Sequence, residues 1–301
     1  MKLLLDGRIQ DSEEAVISVY DHGFLYGMGL FETFRTYGGK PWLLNRHAER
    51  LAASCGALGI AYAPDPARMA EDVKRLLAAN GLADGYVRWS VSAGAGEIGL
   101  PEGDYARPRE IVYMKPLAPD RPETRAGKRL RLLRLARSTP EGGEPRLKSF
   151  HYMNNMLAKR ELTAGGAAPG TEGLFLSPDG YVSEGLVSNV FWAKDGVLYT
   201  PALETGPLPG ITRGWVLTRA LETLGPDGVR EVREGRYRWD ALLQADEAFV
   251  TNSVQEIVPV VALEEPDGTI ARPWPEGPGR ATRRLMTAYR LAAEQGSEDM
   301  R

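Results

Sequence analysis

Apolar and polar residues change period several times along the chain, and each change marks an expected element. KLLLDGRI (2–9) and AVISV (15–19) are short runs rich in Leu, Ile and Val and predict strands. LFETFRTYGGKPWLL (30–44) alternates around Gly38 and Gly39 and predicts a hairpin. It places Phe31, Thr33, Arg35 and Tyr37 on one face and Leu30, Glu32, Phe34 and Thr36 on the other. The period then lengthens: Leu51, Cys55 and Leu58 fall at helical spacing, with Asn45 as the expected cap. A second helix is expected from about Pro66 to Asn80, with Met69, Val73, Leu76 and Leu77 inward and Gly81 as its stop. GYVRWSVSAG (85–94) and REIVYMKP (109–116) return to strand character.

KPLAPDRPETRAGK (115–128) is polar, carries three prolines and has no usable period, so it predicts a linker. Beyond it come the strand-like RLRLLRLAR (129–137), a helix after Lys148, and two strand pairs turning at SPDG (177–180) and AKDG (193–196). Helices at about 212–224 and over RATRRLMTAYRLAAEQ (280–295) complete the reading. The expected fold class is α+β in two domains: a smaller α/β domain over 1–117, a linker over 118–128, and a larger C-terminal domain over 129–301 that carries Lys148. A cleft between domains is the default ligand site.

Composition narrows the function classes. With 43% hydrophobic and 26% charged residues, a chain of 301 residues can bury a sizeable core. Lys and Arg total 37 against 40 Asp and Glu, a net charge of -3 without a basic block, so neither nucleic acid nor an anionic membrane is an expected partner. MKLLLDGRIQ is too short in apolar residues for a signal-peptide core and no later run approaches a membrane span, so a cytoplasmic protein is expected. The single Cys55 excludes an internal disulfide, and His22, His47 and His151 are too scattered to suggest zinc; no metal is expected.

Three features carry candidate chemistry. RLKSFHYMNNMLA (146–158) sets Lys148 ahead of a helix whose first turns hold Tyr152, Asn154 and Asn155, an arrangement that an ordinary solvated lysine also produces. SEGLVSNVFWAKDG (183–196) puts Glu184 at one strand end and Asn189 at the start of the next, where carboxylate and amide can meet above a sheet. Gly210, Ile211 and Thr212 open a helix, whose unpaired N–H groups and positive dipole end favour a phosphate. An imine-forming lysine, a carboxylate for a pyridine nitrogen and a phosphate cup are together what a protein supplies to pyridoxal phosphate.

With these come DHGFLYGMGLFETFR (21–35), RHAERL (46–51), EGLFLSPDGYVSEGLVSNVFW (172–192), LPGITR (208–213) and FVTNSVQEIVPV (249–260). In this set the chain resembles the fold-type IV (class IV) pyridoxal-phosphate enzymes over nearly its whole length. It is most similar to the 4-amino-4-deoxychorismate lyases and also to branched-chain and D-amino-acid aminotransferases. The resemblance implies the two-domain D-amino-acid aminotransferase-like architecture with its active site between the domains, a homodimer, and pyridoxal 5'-phosphate as cofactor. Lys148 would hold the cofactor covalently and then carry the proton. Glu184 would pair with the pyridinium nitrogen, and Tyr152 with the phenolic oxygen, although its spacing from the lysine is one residue shorter than in the branched-chain enzymes. Arg50, Ile211, Thr212 and Ser253 would bind the phosphate. Leu186 stands where many relatives carry a small residue. The implied reaction converts aminodeoxychorismate to 4-aminobenzoate and pyruvate for folate synthesis. Its dicarboxylate substrate calls for a further cation: Arg35 or Arg88, with Phe31 and Asn252 completing the expected substrate contacts. A D-amino-acid or branched-chain aminotransferase is the alternative, and a catalytically idle ligand-binding relative a third.

Overall fold

The apolar face of residues 30–36 is buried by a helix pair, and the first of two sheets is built around it. A computed structural model describes residues 1–117, 120–140, 145–225, 228–275 and 277–296. Two compact units result: Met1–Pro119 with Leu147–His151 and Ala292–Arg301, and Asp120–Arg146 with Tyr152–Leu291.

In the first unit, strands β1 (Lys2–Leu5) and β2 (Arg8–Asp11) precede a short helix α1 (His22–Tyr26). Strand β3 (Gly29–Tyr37), the two-residue β4 (Lys40–Pro41), helices α2 (Leu44–Ala57) and α3 (Pro66–Asn80), and strands β5 (Gly85–Ser92) and β6 (Arg109–Pro116) follow. The six strands form one sheet in the order β2-β1-β6-β5-β3-β4, every pair antiparallel. Leu30, Phe34, Val87 and Trp89 from the sheet pack with Leu51 and Cys55 of α2 and Met69, Val73 and Leu76 of α3. Each fully buried side chain of this size contributes about 1.5–3 kcal/mol. Helix α3 ends as expected, with Asp65 accepting from the Ala67 N–H at its start and Gly81 left-handed at φ 64° at its end.

The second unit holds β7 (Lys128–Leu132), α4 (Met153–Ala164), β8 (Glu172–Leu176), β9 (Val182–Gly185), β10 (Asn189–Lys194) and β11 (Val197–Pro201). Then come α5 (Ile211–Leu224), β12 (Glu231–Gly235), α6 (Trp239–Leu243), β13 (Glu247–Asn252), β14 (Glu256–Glu264), β15 (Ile270–Pro273) and most of α7 (Arg280–Gln295), whose residues from Ala292 are counted with the first unit. Its nine strands run β12-β11-β10-β13-β14-β7-β8-β9, with β15 also beside β14. Three pairs (β11/β12, β7/β14, β7/β8) are parallel and the others antiparallel. Trp192 is the aromatic centre of this core, stacked on Tyr199 and edge-on to Tyr237. Both expected turns form; at AKDG, Lys194 pairs with Val197 and the two central residues, Asp195 and Gly196, have φ 48° and 73°.

Four local expectations fail, each for a physical reason. AVISV is not a strand: it pairs with no neighbour among the described residues, and Val16 and Val19 are exposed. Helix α2 is capped by Leu43 in the left-handed region at φ 54°, without a side-chain cap bond, and starts one residue before Asn45. The segment expected as a linker is anchored instead. Ala118 and Pro119 lie outside the described residues, but Arg125 donates to the Ile257 carbonyl (2.7 Å) and to Glu256 (3.0 Å), which places 120–127 with the second unit. Lys148, expected at the mouth of a helix in the larger domain, lies five residues before α4 in extended backbone that bonds to β3: the Phe31 N–H donates to the Lys148 carbonyl and the Phe150 N–H to the Gly29 carbonyl, both at 2.9 Å. Residues 147–151 therefore belong to the first unit. Among the described residues no helix is long and apolar enough to cross a membrane.

Candidate functional site

Alternation along β3 turns Glu32 toward the helices among apolar residues, where a carboxylate needs a cation. Helix α2 brings one: Arg50 donates from Nε to Oε1 (2.8 Å) and from Nη2 to Oε2 (2.6 Å), and His47, one turn earlier, donates from Nδ1 to Oε2 (2.7 Å). Burial works to raise the Glu32 carboxyl, but the Arg50 charge and the His47 and Arg50 hydrogen bonds prevail and bring it from 4.5 to about 2. His47 moves below its ordinary range, through burial first and the Arg50 and Lys148 charges next, against the pull of Glu32. At neutral pH His47 is thus an uncharged donor, and Arg50 balances the Glu32 charge. The two-point contact fixes the orientation of the Arg50 guanidinium against Glu32.

This network gives a pH-dependent prediction. A carboxyl depressed in the folded state contributes stability above its unfolded value of about 4.5, and loses that contribution as pH falls toward 2. Glu32→Gln is expected to cost about 3 kcal/mol at neutral pH, and the gap from wild type to narrow steadily below about pH 4.5. Urea midpoints measured from neutral to acid pH check this; a gap independent of pH would remove Glu32 as the source.

On the opposite face of β3, the Phe31 ring carries two cations: Lys148 Nζ lies 4.6 Å and Arg88 Cζ 3.6 Å from its centroid. Arg88 stands on β5 opposite Thr33, so it shares that face. Three expected residues, Lys148, Phe31 and Arg88, are thereby brought together. Arg35 shares the face, but its guanidinium lies over Tyr37, 4.7 Å from the ring centroid. Gly29 is required beside them: a Cβ there would fall 2.3–2.8 Å from the Phe150 ring, two residues past the lysine.

In the second unit, Glu184 and Asn189 do meet, through one residue. The Leu208 N–H donates to Glu184 Oε2 (2.9 Å), and Asn189 Nδ2 donates to the Leu208 carbonyl (2.8 Å). Glu184 Oε1 accepts from Arg137 Nε at 2.8 Å, and Arg146 Nε stands 3.8 Å away. The Leu208 segment leads into α5, whose cap Gly210 adds no side chain to the first N–H groups. A Cβ at Gly210 would lie 2.0 Å from Asn189 Oδ1, so only glycine allows this approach. Thr212 is buried, its hydroxyl 3.2 Å from that of Tyr289. Asn252 and Ser253 sit where the chain leaves β13, whose Thr251 is the cross-strand partner of Asn189. The Asn252 side chain accepts from the Val254 and Gln255 N–H groups. Lys128 braces this turn by donating to Gln255 (2.8 Å) and to Glu172 (2.5 Å). Tyr152 is the half-buried residue preceding α4. Leu186 fills the space above Gly173, where a Cβ would meet it at 2.4 Å, so the larger residue is matched by a glycine.

These residues fit a phosphorylated pyridine. The α5 N-terminus offers uncapped donors, and among the described residues Ser183 Oγ and Thr251 Oγ1 are buried without partners beside Glu184 and opposite Asn189. Glu184 keeps acceptor capacity, because each oxygen takes one of the two close donors. Sequence reasoning missed Glu32, His47 and Arg137. For Glu32 a signal existed, a carboxylate on the apolar face of a strand; for Arg137 none did.

Comparison with known proteins places the chain. Residues 29–263 match the family model described as amino-transferase class IV. The aminodeoxychorismate lyase of Bacillus subtilis (strain 168) is 44% identical over 266 residues, 87% of this chain and 87% of that protein. The crystal structure of 4-amino-4-deoxychorismate lyase from Pseudomonas aeruginosa superposes with a TM-score of 0.79 at 32% identity, covering 97% of this chain and 99% of that one. The branched-chain amino acid aminotransferase of T.th., complexed with N-(5'-phosphopyridoxyl)-L-glutamate, gives a TM-score of 0.81 at 30% identity over 98% of this chain and 94% of that one.

Proposed function

The chain belongs to the class IV amino-transferase family and is a pyridoxal-phosphate enzyme, and from that premise we propose that it is a 4-amino-4-deoxychorismate lyase. The observation that carries the choice of reaction is the 44% identity with a lyase across 87% of both chains. The Phe31 ring supports it, since it holds a second cation, Arg88, beside the Lys148 amine, as a substrate with two carboxylates requires.

Bound through Lys148, the cofactor supplies an electron sink for the pair left when the carbon beside the substrate amine loses its proton. Lys148, with its amine free, would take that proton. Glu184 holds the ring nitrogen, and Arg50, set by Glu32, holds the phosphate together with Ile211, Thr212 and Ser253. Arg88 binds a substrate carboxylate, with Phe31, Arg35 and Asn252 shaping the rest; Tyr152 holds the phenolic oxygen. The electron pair freed at that carbon would expel the enolpyruvyl oxygen as the ring becomes aromatic, and the enolpyruvate, on taking up a proton at its methylene carbon, would leave as pyruvate beside 4-aminobenzoate. The product serves folate synthesis in the cytoplasm. The enzyme works as a homodimer, for which the exposed Val16, Val19, Phe24, Ile98 and Leu100 of the first unit provide apolar surface.

The test is turnover of aminodeoxychorismate alone. Formation of 4-aminobenzoate and pyruvate in equal amounts, without any keto acid, is expected. Dependence on 2-oxoglutarate, or faster glutamate formation from D-alanine or leucine, would move the assignment to an aminotransferase.

A further inference from the structure

Arg137 lies outside every role assigned above, yet its side chain is only 8% exposed and is held between Glu184 and two asparagines. Nε donates to Glu184 Oε1 at 2.8 Å, and Nη1 donates to Asn154 Oδ1 at 2.8 Å and to Asn155 Oδ1 at 3.1 Å. Its Cζ stands 5.0 Å from the centroid of the Phe175 ring, and its backbone N–H donates to the Leu176 carbonyl. The two asparagines are themselves fixed, because Asn154 Nδ2 donates to the Ala136 carbonyl (3.1 Å) and Asn155 Nδ2 to the Leu186 carbonyl. Each amide oxygen must therefore face the guanidinium. The consecutive asparagines of YMNNM thus aim one arginine at one carboxylate.

We propose that Arg137, oriented by Asn154 and Asn155, is a positioning residue that keeps the cofactor's ring nitrogen protonated by acting on Glu184. This rests on the reading of Glu184 as the ring-nitrogen partner. The proton shared between a carboxylate and a pyridine nitrogen has two places to reside: on nitrogen, leaving an ion pair, or on oxygen, leaving both groups neutral. A buried site favours the neutral arrangement. A fixed positive charge 2.8 Å from the carboxylate, on the oxygen side of the pair, favours the ionic one. The Leu208 N–H on the other oxygen acts in the same sense. Arg137 touches neither substrate nor reacting atoms in this account; its effect passes through Glu184.

The experiment uses the full-length protein loaded with cofactor labelled with ¹⁵N in the ring, because protonated and bare pyridine nitrogens resonate far apart. Wild type is expected to show the protonated signal at neutral pH. Arg137→Gln should keep cofactor while its signal moves toward the bare nitrogen, and turnover should fall about 10- to 100-fold, as for other partners that orient a ligand-holding residue. Arg137→Lys, which keeps the charge without the fork, should lie between the two. Asn155→Ala supplies the same reading should Arg137→Gln fail to fold. An unchanged ¹⁵N signal in cofactor-loaded Arg137→Gln or Asn155→Ala, with only a lower melting temperature, overturns the proposal and leaves Arg137 a structural residue. Failure of the reading beneath it looks different: wild type itself would show no protonated signal, or bind no cofactor.

Discussion

Lys148→Ala is expected to bind the cofactor without a covalent bond and to lose turnover by about 10⁴-fold or more, since imine partner and proton carrier disappear together. In wild type, borohydride should fix the cofactor irreversibly, and mass mapping of the digest should find it on Lys148. The neighbouring lysines are not prepared for the task. Lys159, the next along the chain, points from α4 into solvent, and Lys128 is committed to Glu172 and Gln255. Lys148 is half-buried, with its amine against the Phe31 ring and close enough to His47 to influence that ring electrostatically. An adduct on Lys159, or residual turnover in Lys148→Ala above about a hundredth of wild type, would defeat the assignment.

Glu184→Gln is expected to retain the cofactor and to lower turnover by about 10²- to 10³-fold, the scale on which removal of one preorganised electrostatic partner is felt. The physical reason begins with acceptor count. Arg137 Nε and the Leu208 N–H occupy different oxygens of Glu184, and an amide has one oxygen. One of these donors would face the new NH₂ group, at a cost of about 1–3 kcal/mol for an unsatisfied buried donor. The larger loss is chemical, because a neutral amide does not favour a protonated ring nitrogen and the electron sink weakens. Melting temperature and turnover at saturating cofactor separate the two effects. Equal turnover in variant and wild type would show that the nitrogen's partner lies elsewhere.

The helices α2 and α3 and most strands of the first unit were legible because their apolar spacing is regular over eight or more residues. AVISV was not, because β-branched composition makes a strand only where a neighbour accepts its hydrogen bonds, and among the described residues none does. Helix α1 escaped because five residues are too few for a period; only Asp21, which accepts from the Gly23 N–H, and the left-handed Gly27 mark its ends. Among the candidate residues, Lys148 in the first unit and Glu184 and the Gly210–Thr212 turn in the second were named from residue type alone, but their neighbours were not. Glu32 and Arg50 are separated by 18 residues and Arg137 and Glu184 by 47. Such pairs follow from which strand lies beside which helix, and local pattern carries no record of that. Lys148 itself was misplaced, since the text after it is helical while its own backbone answers to β3.

That attachment to β3 has a kinetic side. Ser149 bridges to Leu30, and the peptides on both sides of Ser149, the first of them carrying the Lys148 carbonyl, are held by hydrogen bonds of 2.9 Å. In the role proposed for Lys148, its amine would change tasks without releasing these backbone bonds, and the four-carbon arm alone would cover the distance between the two. Under that proposal the nitrogen would act as a tethered reagent, at an effective molarity no base arriving from solvent attains.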